Sequence, residues 1–400
     1  MNIHEYQAKK LLKKFKISVP QGRIAYTKNE AQKAAAVVSE NGPWVLKAQI
    51  QAGARAKGHF AEQKAKKVSG VEVVSSLEAV GQTADKMIGS TLITSQTDKK
   101  GKLVSKIYVE EHIKTKKTFY LSLIVNRIGS CITLLVANAT DNIVELAQKK
   151  PQSILRVNLN LHQRIKRQDV LNVLKFLRLD ALYFQALKNF IQNLYKAFVD
   201  LDATMLEINP VGIDENDCLK ALDAKISFDD NALYRHKDIL NLMDDYETSE
   251  TTLKAAQYGF KYKNFKNGNI GLIVNGEGLA LCLYDYLTHL GCAPACYLNI
   301  RGGTDEDKIA QSIKLMMTNP KIEGILIDIL GGFLRCDLVA DGIVSAISEI
   351  GLNIPVAVRF EGTNKQAAIK IIEQSGLGLL MADLLSESVE KLIEKMKEDA

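Results

Sequence analysis

The chain has 400 residues, too many for one ordinary core, and its 46% hydrophobic and 24% charged side chains are the balance of soluble globular domains. No apolar run reaches the roughly 18 residues of a membrane span, and the opening MNIHEYQAKKLLKKFK lacks the apolar stretch of a secretory signal, so a cytoplasmic protein without a membrane partner is expected. The net charge of +6 does not point to nucleic acid: only 11 of 52 basic residues are arginine, and the lysines form no dominant stripe.

Asn2 and Glu5 stand at capping-box spacing ahead of an apolar stripe, Ala8, Leu11, Leu12 and Phe15, which predicts a first helix. A second box, Thr27 with Glu30, opens a helix that ends near ENGP, and WVLKAQI follows as a buried strand. LITSQT, IYVEEHI, FYLSLIVNR and CITLLVAN read as strands of a largely antiparallel sheet. Residues 168–200 return to helix, with Leu187, Ile191, Leu194 and Phe198 on one face. TMLEINPVGI and CLKALDAKI, joined by the turn-rich DEND, then make a hairpin. Residues 1–240 therefore read as an α+β domain and the charged stretch 241–267 as a helical linker. Beyond it, IGLIVN, ACYLNI, GILIDIL, PVAVRF and LGLLMA are short apolar strands, each followed by a helical pattern. Residues 268–400 accordingly read as a doubly wound parallel sheet, in which ligands sit at the carboxyl ends of the strands.

In the hairpin, Glu207 and Asn209 share one side of their strand, as Asp223 and Lys225 do of theirs. A register that sets Asn209 opposite Asp223 brings all four together, and a one-residue slip separates them. Two oxygen donors on neighbouring strands suit Mg²⁺, and a solvated face with a salt bridge fits the same pattern. Lys47, at the end of its strand, is placed either to reach a phosphate or simply to be solvated. QAGARAKG offers backbone N–H groups to an anion, yet only Gly53 and Gly58 lack a Cβ and the segment matches no GxxxxGK[ST] pattern. NGEG at 275–278 and GGFLRCD at 331–337 place glycine at strand-to-helix turns, where N–H groups and the helix dipole favour a phosphate or carboxylate; a tight turn alone is the other reading. The six cysteines are scattered, and Cys292 and Cys296 do not have CxxC spacing. None of His4, His59, His112, His162, His236 and His289 sits in a catalytic constellation, so a histidine that the chemistry needs must come from a partner.

MNIHEYQAKKLL, LEINP with LDAKISFDDNALYRH, GNIGLIVNGEGLA, GGFLRCDLVADG and VAVRFEGTN together resemble the beta subunits of succinyl-CoA synthetase (succinate–CoA ligase), in order and from the first residue to the last. The resemblance implies an ATP-grasp domain followed by a flavodoxin-like ligase domain. It also implies an alpha subunit, paired as a heterodimer or heterotetramer, that binds coenzyme A and carries a phosphorylated histidine. The activity implied is that of an acid–thiol ligase of the tricarboxylic acid cycle: succinyl-CoA, phosphate and ADP or GDP give succinate, coenzyme A and ATP or GTP. Carried over by position, Lys47, Ala54, Arg55, Ala56, Glu110, Ile113 and Thr118 match nucleotide positions, Asn209 and Asp223 match Mg²⁺ ligands, and Glu207 matches a carboxylate that orients the phosphohistidine. Asn275, Gly332, Phe333 and Leu334 match a substrate site shared with the alpha subunit.

Three departures stand out. The family's Gly-Gly-Arg-Gly-Lys loop reads Gly53, Ala54, Arg55, Ala56, Lys57; an acidic position is Thr118; and Gly-Gly-Gly-Ala reads Arg301, Gly302, Gly303, Thr304. An alanine forced to positive φ costs on the order of 1 kcal/mol, and its methyl obstructs close approach of a phosphate. These changes leave open a degenerate chain kept as a structural partner of the alpha subunit; a ligase for malate or another dicarboxylate is a further alternative, since the resemblance places the acyl pocket largely on the alpha subunit.

Overall fold

A computed structural model describes the chain apart from residues 63–67, 139–142, 161–164, 245–246, 266, 301–303, 352 and 399–400. His162 and the turn residues Arg301 to Gly303 therefore lie outside the described residues. The chain divides into two units, Met1–Glu247 and Thr248–Ala400.

The first unit holds two main sheets. The smaller one has the order Gly22–Ala25, Ile107–Glu111, Trp44–Ala48, Val71–Val74, antiparallel throughout. Strand alternation turns Trp44, Leu46, Ala48, Ile107 and Val109 into a core with helices Lys28–Val38 and Leu77–Met87. The same alternation sends Lys47, Tyr108 and Glu110 to the opposite face. Ile107–Glu111 was expected among the FYLSLIVNR strands and instead lies here, because the chain crosses to the other sheet through residues 112–114. LITSQT likewise contributes only Leu92 and Ile93, to strand Thr91–Ile93 of a separate three-stranded sheet.

The larger antiparallel sheet runs Ile154–Leu159, Cys131–Ala137, Thr115–Asn126, Ala203–Asp214, Leu219–Ala221, with Ala224–Phe228 also paired to Ala203–Asp214. It packs on two helices, Arg167–Leu177 and Phe184–Asp200, where one was expected; Arg178 breaks them apart in the left-handed region at φ 52°. Leu187, Ile191, Leu194 and Phe198 are buried in that core as the periodicity requires.

Helix Glu5–Lys14 lies between the sheets. Ala8, Leu11 and Leu12 join the larger sheet's core, while Glu5 and Lys9, one turn apart, face Glu110 of the smaller sheet. Its N-cap is His4, with Gln7 Oε1 accepting from the His4 N–H at 2.9 Å, and not Asn2. Asn2 is bridged to Ser227 instead, and Glu5 is held by buried cations, so neither is available for a capping box. Of the Thr27–Glu30 box only the cap forms as expected: the Thr27 side chain accepts from the Glu30 N–H, while Glu30 Oε2 accepts from the N–H of Tyr26, one residue before the cap.

The second unit is one sheet in the order Lys261–Asn264, Pro294–Asn299, Ile270–Val274, Gly324–Gly331, Val356–Gly362, Leu380–Ala382. All neighbours are parallel except the first pair. Counting from Ile270–Val274, the five parallel strands run 2-1-3-4-5, the flavodoxin-like order, with its switch point between strands Ile270–Val274 and Gly324–Gly331. Within 241–267, Glu250–Gln257 is helical and Lys261–Asn264 is an edge strand whose lysines blunt the exposed edge and hide it from apolar pattern reading. Among the described residues no helix is long and apolar enough to cross a membrane.

Leu12 is fully buried between helix and sheet, so Leu12→Ala should cost the first unit about 2–5 kcal/mol, against less than about 0.5 kcal/mol for exposed Lys13→Ala, read from urea unfolding. His4 is also buried, its Nε2 2.6 Å from Asp244, which Lys106 also pairs. Burial lowers its pKa below 6.5, opposed by Asp244. The unfolded chain then takes the proton first, so stability should fall as pH drops below about 6.5, and His4→Gln should flatten that dependence in melts between pH 7.5 and 5.5.

Candidate functional site

Six ionisable side chains from five places in the sequence converge in the first unit. Lys47 Nζ donates to Glu5 at 2.9 Å, to Glu110 at 2.5 Å and to the Leu222 carbonyl at 2.7 Å. Lys9 Nζ donates to the same three partners at 2.8, 2.6 and 2.6 Å. Arg55 bridges Glu5 at 2.8 Å and Asp223 at 2.7 Å and donates to the Ala48 carbonyl at 2.9 Å. Three cations thus meet three carboxylates, and all but Asp223, one-third exposed, are almost wholly buried. Burial opposes every charge, yet Glu110 and Glu5 hold the Lys47 ammonium above the ordinary lysine range, and Lys47, Lys9 and Arg55 hold Glu5 well below the carboxylate range. The solvated alternative for Lys47 is excluded by its burial.

The hairpin supplies the other side. Its register pairs Ile208 with Ala224 and Glu207 with Lys225, and the Asn209 N–H donates to the Asp223 carbonyl at 3.2 Å, so Asn209 stands opposite Asp223. Leu206, Ile208 and Ile226 enter the core, which leaves Glu207, Asn209, Asp223 and Lys225 on the other face. Glu207 also lies opposite Ser122 and 3.4 Å from the Tyr120 hydroxyl. Burial pushes its pKa up, against the pull of Lys225. Thr118 is on the same neighbouring strand, opposite Gly212, and Ile113 lies in the connection between the two sheets. The amide oxygen of Asn209 and the carboxylate of Asp223, on strands tied by a backbone hydrogen bond, form the hard oxygen set that suits Mg²⁺.

The loop after Lys47 resolves into a turn with Ala54 at φ 58°, ψ 26°, followed by the 3₁₀ turn Arg55–Lys57. Ala54 therefore holds the left-handed conformation that glycine would adopt freely, while Ala56, inside the 3₁₀ turn, needs none. The Gly53 N–H is spent on Gln96 Oε1 at 2.9 Å. Glu5 and Lys9 escaped the sequence reading. Their signal was an i, i+4 acid–base pair on the polar side of the first helix, which commonly marks only a solvated face.

In the second unit, Asn275 follows strand Ile270–Val274 and clips the adjacent strand: its Nδ2 donates to the Leu330 carbonyl at 2.7 Å and its Oδ1 accepts from the Leu330 N–H at 2.9 Å. Gly332 and the fully exposed Phe333 lie beyond that strand's end, whereas Leu334 is buried in the core beneath. Helices Glu277–His289 and Cys336–Ile350 begin at these two turns.

A family model described as an ATP-grasp domain matches residues 2–213, and one described as CoA-ligase matches residues 273–393. The beta subunit of succinate–CoA ligase [ADP-forming] from Nitrobacter winogradskyi is 41% identical over the full length of both chains. The like-named proteins of Paramagnetospirillum magneticum and Paracoccus denitrificans are 40% and 39% identical, covering 100% and 99% of this chain and all of theirs. The chain belongs to the succinate–CoA ligase beta-subunit family. Among solved structures, ATP citrate lyase from Methanothrix soehngenii, in complex with citrate and coenzyme A, superposes with a TM-score of 0.76 over 98% of this chain and 99% of that one, at 16% identity. A Methanosaeta concilii ATP citrate lyase variant gives 0.70 over 96% and 95%, at 15% identity. Both likenesses concern the fold. Ala54 thus keeps a glycine-like backbone at the cost of strain. Ala54→Gly should relieve about 1 kcal/mol, raising the melting temperature of the first unit by roughly 2–4 °C in calorimetry.

Proposed function

We propose that this chain is the nucleotide-carrying beta subunit of an ADP-forming ligase that reversibly joins succinate to coenzyme A, working with an alpha subunit that brings coenzyme A and the histidine to be phosphorylated. The observation that carries the reading is the convergence of Lys47, Arg55 and Glu110 on the hairpin bearing Glu207, Asn209 and Asp223, in a chain matched end to end by relatives of that name. Lys47 and Arg55 bind and offset the charge of the nucleotide phosphates, and Ala54 to Ala56 line the approach. Glu110, Ile113 and Thr118 lie along the connection and strand that would border the nucleotide. Asn209 and Asp223 would hold Mg²⁺, which when bound neutralises phosphate charge during phosphoryl transfer. Glu207, half shielded from water between Tyr120 and Lys225, orients the incoming histidine through its carboxylate. In the second unit Asn275, Gly332 and Phe333 present the switch-point turns to the alpha subunit, with Leu334 anchoring them from the core.

A second reading, a degenerate chain retained as structural partner, is favoured by one observation: all three ammonium protons of Lys47 already have acceptors. Mg-ADP separates the two. For the active subunit, a hundredfold excess over Kd should add about 2.7 kcal/mol of stability, a clear rise in melting temperature; no rise would support the structural partner. In the reconstituted complex, labelled phosphate should pass from ATP to the alpha histidine and the transfer should slow at least about a hundredfold in Asp223→Ala. Absence of transfer by the wild-type complex would sink the ligase reading.

A further inference from the structure

Lys9 and Lys47 stand on different elements and share the same three partners: both donate to Glu5 Oε1 and to the Leu222 carbonyl, and on Glu110 Lys9 takes Oε2 while Lys47 takes Oε1. They differ in access. Lys9 is the more deeply buried, its stem fixed in helix Glu5–Lys14 and its ammonium 5.5 Å from the centroid of the Tyr108 ring, whereas Lys47 stands on the strand that leads into the loop and Arg55, on that loop, reaches Asp223. The cluster is balanced as it stands, with Lys9, Lys47 and Arg55 against Glu5, Glu110 and Asp223.

We infer that Lys9 is a positioning residue of the nucleotide site, the cation that stays with Glu5 and Glu110 when Lys47 and Arg55 turn to phosphate. The inference rests on the nucleotide reading above. A phosphate ligand competes for Lys47 and Arg55, and a divalent cation competes with Arg55 for Asp223. Two buried carboxylates, Glu5 and Glu110, then remain, and a buried charge stripped of its partner is strongly disfavoured. Lys9 bonds both of them from helix Glu5–Lys14, so Lys47 is released without leaving either one unpaired. With Lys9 removed, Lys47 becomes the lysine that both carboxylates must keep, and it stays with them.

The test is calorimetric titration of the full-length chain with Mg-ADP, alongside melting of the ligand-free variants. Lys9→Met should weaken binding at least about tenfold, while Lys9→Arg, which keeps the charge, should bind within about threefold of wild type. The double variant Lys9→Met/Glu5→Gln loses one carboxylate charge with the cation and should recover most of the lost affinity. Unchanged affinity in Lys9→Met overturns the inference. So does a loss that tracks melting temperature with no recovery in the double variant, because that is a merely structural role. If Lys9→Met does not fold, the charge-balanced double variant decides, and a loss there of more than about tenfold overturns the inference. No binding by the wild-type chain would instead overturn the nucleotide reading, and this inference with it.

Discussion

Removing six charged groups from water is costly, and in the first unit that cost is met by arranging Glu5, Glu110 and Asp223 against Lys9, Lys47 and Arg55 so that each charge has an opposite within 3 Å. The first helix is the keystone of this arrangement. Its apolar side completes the core of the larger sheet, and its polar side carries Glu5 and Lys9 to the smaller sheet. Shifting that helix would expose apolar surface on one side and strand a carboxylate on the other, so the two sheets hold a fixed relation through it.

The same pairing shapes how a phosphate would enter. Lys47 and Arg55 are each paired with carboxylates, so phosphate binding there would be an exchange of partners. An exchange of this kind disfavours weak or uncharged competitors, which cannot offset the carboxylates they displace. Arg55 matters twice, since it touches Glu5 within the cluster and Asp223 at the hairpin, and so couples the loop to the candidate metal ligands.

Elements with strong periodicity were legible. The Thr27 cap, the Leu187 to Phe198 face, the hairpin and the five parallel strands all appear where their patterns put them. Elements governed by distant partners were not. Asn2 lost its capping role to Ser227, the lysine-rich edge strand Lys261–Asn264 carried no apolar signal, and Ile107–Glu111 chose Trp44–Ala48 over the strands that follow it. Leu334 shows the same limit at a turn: three consecutive positions read alike, and packing alone turned one of them inward.

The sequence by itself determined the residue types of the site, the face each strand residue occupies and the alternating strand–helix pattern of the second unit, because side-chain period and strand–helix alternation are local properties. Only the tertiary structure decided that Asn209 meets Asp223, that Ala54 keeps a glycine-like backbone, and that Glu5 and Lys9 belong to the site at all. Those outcomes depend on register, loop closure and charge pairing between residues as far apart as Lys9 and Glu110, or Arg55 and Asp223. No local pattern encodes such distances, and the energy that selects them exists only once both partners are buried together.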